Sequence, residues 1–132
     1  MAIMIPTDGY FEPKSGEKDM FDALKKLPDD YYVFHSYRFV QLIPDKGLNE
    51  NEIDFLIFNP NYGCLFVECK NAIVSRTETG QWKYVRNENG TVKEINMKDP
   101  FDQAFSGQHN LFNKLRETYR DWMVSTIRYN IF

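Results

Sequence analysis

Little in this chain of 132 residues could serve as a covalent staple, a soft metal cage or a membrane anchor. It has two cysteines, Cys64 and Cys69, and two histidines, His35 and His109, which are remote from each other in sequence. The cysteines stand five residues apart in one strand-like run, so they point to opposite faces and are poorly placed to bond to each other. Scattered Cys and His argue against a zinc site. The opening MAIMIPTDGY has no basic start and no long apolar core. Nor does any apolar run approach the ~18 residues of a membrane span. Free thiols without an export signal suit a reducing cytoplasm, so the expectation is a cytoplasmic chain with no membrane partner. A basic surplus is missing too. The net charge of −3 speaks against a simple phosphate-binding surface.

What is present suffices for a single folded domain. Hydrophobic residues make up 42% and aromatics 16%, enough to build a core and to exclude a disordered tail. Residues 1–14 read as a leader with turns, carrying Pro6, Gly9 and Pro13, and residues 15–132 as the domain itself. The apolar chain end suggests that the sequence is part of a longer protein. A short helix is expected over 15–27, stopped by Pro28, with Met20, Phe21, Leu24 and Leu27 as its inner stripe. Glu17 falls on that stripe, where a first-turn acid also complements the helix dipole. YYVFHSYRFVQLI reads as a strand over 31–42, followed by a loop, PDKGLNEN. EIDFLIF and CLFVECK are two further strands joined by the turn NPNYG. Residues 73–95 look like antiparallel ribbon, with turns near Thr79-Gly80 and Asn89-Gly90. The longest helix is expected from Asp99, an N-cap, and Pro100, with Phe101, Ala104, Phe105, Gln108, Leu111, Phe112, Leu115 and Tyr119 along one stripe.

The charges in EIDFLIFNPNYGCLFVECK need an explanation. Alternation puts Glu52, Asp54, Leu56 and Phe58 on one face of their strand, and Ile53, Phe55 and Ile57 on the other. If residues 59–63 form the turn, Phe58 pairs with Cys64, Asp54 falls opposite Glu68, and Glu52 opposite Lys70. Glu52 and Lys70 suit each other as a cross-strand ion pair. Asp54 and Glu68 repel, the more so between apolar flanks. A hard divalent ion, Mg²⁺ or Mn²⁺, would remove the conflict, and Lys70 beside it could serve an attacking water or a developing phosphate charge. The plain alternative is a solvent-facing hairpin end with scattered charges. Removing the four carboxylates of Glu17, Glu52, Asp54 and Glu68 from the balance turns −3 into +1, which is compatible with nucleic acid.

The ordered set of motifs resembles a known family. A short helix with an inward Glu, E-I-D, a hairpin, E-C-K-N, a Trp-containing ribbon and then D-P-x-x-Q-A opening a long helix is similar to the nuclease-related domain (NERD) of the PD-(D/E)XK nuclease superfamily. The resemblance implies an α/β, restriction-endonuclease-like fold: an αβββαβ core with a central mixed sheet flanked by helices. It implies a Mg²⁺- or Mn²⁺-dependent nuclease acting on DNA, in processing or repair. The alternative is a non-catalytic nucleic-acid-binding module of the same fold, joined to a helicase or another domain. Carried over by position, Asp54 and Glu68 would hold the metal with the Cys69 carbonyl, Lys70 would be the catalytic lysine, Glu17 an accessory acid, and Gln103 a helix residue facing the site or the nucleic acid. Lys14, Lys18, Arg76, Lys83, Arg86 and Lys114 are candidates for phosphate contact. The superfamily's Pro is replaced by Ile53, the usual Asn before the helix Pro by Asp99, and Gly107 stands where a Q-x-x-x-Y motif would place Tyr. The last strand of the core is expected at or beyond the C-terminus.

Overall fold

The computed structural model describes residues 1–12 and 16–119. The element order is β1 (Ile3–Ile5), α1 (Gly16–Leu24), β2 (Tyr32–Ile43), β3 (Gly47–Asn59), β4 (Gly63–Val67), β5 (Ile73–Arg76), β6 (Trp82–Glu88), β7 (Thr91–Met97) and α2 (Pro100–Thr118). Strands β1 to β4 form one mixed sheet in that order, β1 parallel to β2 and the rest antiparallel. Strands β5 to β7 form a separate three-stranded antiparallel sheet. Helix α1 covers one face of the four-stranded sheet and α2 the other, which gives the α/β sandwich of a mixed sheet between helices.

Two apolar clusters hold these layers together. Phe21 of α1 packs with Ala2, Met4, Val33, Phe55 and Ile57. Leu111 of α2 packs with Phe39, Ile53 and Leu56. Phe55 and Val33 are wholly buried, so the middle of β2 and β3 is the deepest part of the molecule. His35 sits there as well, its ring boxed by Phe11, Phe21 and Phe55.

Several expectations are corrected. Residues 1–14 are more than turns, because Ile3–Ile5 adds a parallel edge strand to β2. The loop expected through Asn51 is short: β3 begins at Gly47, whose φ of +79° lets the chain reverse, and Leu48 to Asn51 pair with β2. Strict alternation also breaks. Partnering between β2 and β3 skips one position, Ser36 opposite Asp54, and Ser36 has a φ of +48°, unusual for a residue with a Cβ. The strands turn over at that point. Phe34 and Tyr37 both pack on the α2 side, and Ile53 joins Leu56 there instead of Phe55 and Ile57.

The inner face of α2 differs from the expected stripe for a related reason. A Cβ on Gly107 would lie 3.3 Å from Ile53 Cγ1, so the glycine side of the helix faces the sheet. That rolls Phe101, Phe105 and Tyr119 outward; they are 73%, 66% and 56% exposed. Leu111 and Leu115 stay inside. The N-terminus of α2 is as expected: Asp99 Oδ1 accepts the Phe101 N–H at 2.8 Å and Pro100 occupies the first turn. The strand expected after α2 falls outside the described residues.

Candidate active site

The site forms where β4 leaves β3. The register is as expected, but Asn59 and Gly63 also pair, leaving a turn over 60–62: Asn59, buried at 1% exposure, accepts the Asn61 N–H on Oδ1 at 2.8 Å, and Gly63 takes a φ of +92°. Phe58 pairs with Cys64 and Leu56 with Phe66, but the ladder stops at Phe55 opposite Val67. Asp54 and Glu68 therefore lie just past the last pair. In place of a strand partner, Asp54 Oδ2 accepts the Cys69 N–H at 2.7 Å. The carboxylate thus satisfies a backbone donor that the shortened ladder leaves over.

Three acids and a lysine share this place. Burial pushes the Asp54 carboxyl up to about 6; the Cys69 N–H opposes this, the charges of Glu68 and Glu17 add to it, and Lys70 draws it back. Glu68, with 15% of its side chain exposed, accepts from Lys70 Nζ at 2.6 Å. The Cys69 thiol is pushed up to about 11, first by burial and then by Asp54, Glu17 and Glu68, so it stays protonated and is no nucleophile. Helix α1 begins against the end of this segment, with Asn71 Oδ1 3.7 Å from where a Cβ on Gly16 would stand.

Asp54 and Glu68 open into a cleft of about 660 Å³ between the free half of β3 and the N-terminal half of α2. Glu50, Glu52, Asp99 and Asp102 also line it, with Lys98 as its one cationic side chain. Gln103 lines it too, and shares a neighbouring cleft of about 270 Å³ with Lys70. The structure thus brings Asp54, Glu68, Lys70 and Gln103 around one region, with Glu17 as a charged neighbour of Asp54 on the α1 side. Glu52 stands apart from Lys70. It pairs with Arg38 across β2 at 3.4 Å, because Arg38 is its register partner and Lys70 is held by Glu68.

Other expectations at the surface are adjusted. Lys18, Lys83 and Arg86 are engaged with Asp22, Glu94 and Glu88, and Arg76 lies over the Trp82 ring; Lys14 is outside the described residues. Asp99, Asp102 and Glu50 were not foreseen at the cleft. For Glu50 the signal was available, since Glu50, Glu52 and Asp54 recur at the strand period.

The donors suit a hard divalent cation. Magnesium typically takes one or two carboxylates and keeps several waters, so neighbouring carboxylates such as Asp54 and Glu68 are donors of the kind it accepts. Among the described residues no group of three or more His, Cys, Asp and Glu side chains is arranged to hold a metal ion. A cation between the two acids would also draw the Asp54 carboxyl back down.

No helix among the described residues is long and apolar enough to cross a membrane. Comparison with curated proteins and with solved structures found no match. The family model described as "Nuclease-related domain" (NERD) matches residues 13–129, which takes in both helices of the sandwich, the strands β2 to β7 and every residue placed around the cleft. With that span of the chain matched, the protein belongs to the nuclease-related domain family.

Proposed function

We propose that this domain is a metal-dependent nuclease that hydrolyses DNA phosphodiester bonds, in DNA processing or repair. The observation that carries the reading is the half-buried Asp54 carboxylate, set beside Glu68 and Glu17 at a frayed strand end with Lys70 alongside. A repulsive acid pair costs stability, and a purely architectural hairpin gains nothing from it. Asp54 and Glu68, with the Cys69 carbonyl, would hold Mg²⁺ or Mn²⁺, which when bound polarises the phosphoryl oxygen and lowers the pKa of water. The Cys69 N–H fixes the Asp54 carboxylate in one orientation. Lys70, which lies on Glu68 at 2.6 Å, would present its ammonium to the phosphate and stabilise the charge that develops there. Gln103, which lines both clefts, would donate its amide to a phosphate oxygen. Glu17 adds negative charge from α1 and strengthens the demand for a cation.

The test is cleavage of labelled DNA with Mg²⁺ or Mn²⁺ present. Asp54→Ala and Lys70→Ala should each lower the rate by at least about a hundredfold. DNA binding that survives both changes, with no cleavage by the unaltered chain, would instead identify a binding module attached to a helicase or other domain.

A further inference from the structure

The smaller cleft, of about 270 Å³, has a lining unlike that of the larger one beside it. Six carboxylates and one lysine line the larger cleft. Two lysines, Lys70 and Lys98, line the smaller, and no carboxylate among the described residues joins them. Gln103 completes the polar side, and Val74, Tyr84 and Met97 form an apolar wall. That wall belongs to the sheet of β5, β6 and β7, which supplies nothing to the acid pair or its lysine. Val74 stands opposite Tyr84, and Met97 lies two residues on from Ile95, the other partner of Tyr84. Alternation therefore puts all three on one face of the sheet. All three are half-buried, so part of their surface stays open.

The two clefts share side chains that have nothing to hold. Lys98 and Gln103 line both. Lys98 is exposed and makes no ion pair among the described residues. The half-buried Gln103 side chain makes no hydrogen bond among them either. Lys70 stands by on Glu68 at 2.6 Å. Two ammonium groups and an amide at one edge suit an anion with several acceptor oxygens, because bonds from charged donors are the strong ones. An apolar wall with a phenol ring suits a flat or apolar group carried by that anion. Ligand pockets run from ~300 Å³ upward, so this cleft takes one such unit. A phosphate joined to a sugar and a base meets all three conditions. It also explains why the cleft adjoins the acids: the phosphate edge is the edge that the two clefts share.

We infer that the smaller cleft is a nucleotide subsite, in which Lys98 and Gln103 hold a phosphate of the substrate and Val74, Tyr84 and Met97 cover the sugar and base attached to it. This rests on the nuclease reading above and deepens it by giving one nucleotide of the substrate a place on the β5–β7 sheet.

The test is nuclear magnetic resonance titration of the isotope-labelled whole chain with thymidine 5′-monophosphate, in EDTA so that neither metal nor cleavage takes part. The backbone signals of Val74, Tyr84 and Met97 should move together and saturate with a Kd of about 1 mM or tighter. Inorganic phosphate and thymidine, each with only part of the ligand, should bind at least about tenfold more weakly. Lys98→Ala should weaken nucleotide binding about fivefold or more, and because Lys98 is exposed and unpaired the fold should not suffer. Tyr84→Leu should also weaken it about fivefold, while Tyr84→Phe, which keeps the ring, should retain it. Inorganic phosphate bound as tightly as the nucleotide would reduce the cleft to an anion site and overturn the proposal. So would binding unchanged by Lys98→Ala, or no movement of those signals at about 10 mM nucleotide. Nucleotide binding by a chain that cleaves no DNA would support the subsite and overturn the nuclease reading alone. Cleavage with no nucleotide binding would do the reverse.

Discussion

Strand β3 is two strands in physical terms, and Asp54 divides them. Beyond it, Phe55 to Phe58 pair on both sides and fill the core, with Phe55 wholly buried on the α1 side of the sheet. Before it, Asn49 to Glu52 pair with β2 alone and turn carboxylates and amides toward an open cleft. The same backbone thus supplies a rigid floor and a chemical edge. Loss of β4 pairing at that point exposes the acids, and the positive φ at Ser36 lets the strands turn over there. Rigidity on one side positions the charges on the other, which is what a catalytic constellation needs.

The largest stability effect is expected at Phe55, where Phe55→Ala should cost about 3–5 kcal/mol, read as a drop in urea midpoint or melting temperature. At Asp54 the direction reverses. Its carboxyl is raised in the folded state from an ordinary 3.8 to about 6. Folding therefore favours the protonated acid; that contribution is complete below pH ~4 and is lost as pH rises through ~6. Asp54→Asn keeps an acceptor for the Cys69 N–H and removes the charge, so without metal at pH 7–8 it should raise stability by about 1 kcal/mol, a few degrees in melting temperature, after discounting for the half-exposed setting. The gain should vanish near pH 4, and a melting series across pH with both proteins checks it. Millimolar Mn²⁺ should stabilise the unaltered protein at pH 7–8 and not the Asn variant. The smallest effect belongs to the cleft half. Glu52→Ala removes an exposed pair with Arg38 and should change stability by about 1 kcal/mol or less in the same melts.

Much of this comparison was legible in the sequence. NPNYG with its flanking alternation fixed the pairing of Phe58 with Cys64, and with it the meeting of Asp54 and Glu68. Asp99 and Pro100 marked the start of α2 because capping is a local matter. What stayed hidden depends on long-range geometry. Nothing in HSYRF announces a positive φ at Ser36, so the crossing of Ile53 to the α2 side could not be read. Strand spacing alone sets Glu52 opposite Lys70, because the pairing of Asn51 and its neighbours with β2 hides in what reads as a polar loop. Helical periodicity offered Phe101 and Phe105 as core, but Gly107 decides which side of α2 meets the sheet. A three-residue strand such as β1 is too short to leave a pattern.

The central claim is that Asp54 and Glu68 jointly hold a divalent cation. Anomalous diffraction from a crystal soaked in Mn²⁺ tests it most directly. The expected result is a peak bridging the two carboxylates, with Lys70 Nζ withdrawn from Glu68. A saturating soak that leaves Lys70 on Glu68 and no peak between the acids would contradict it.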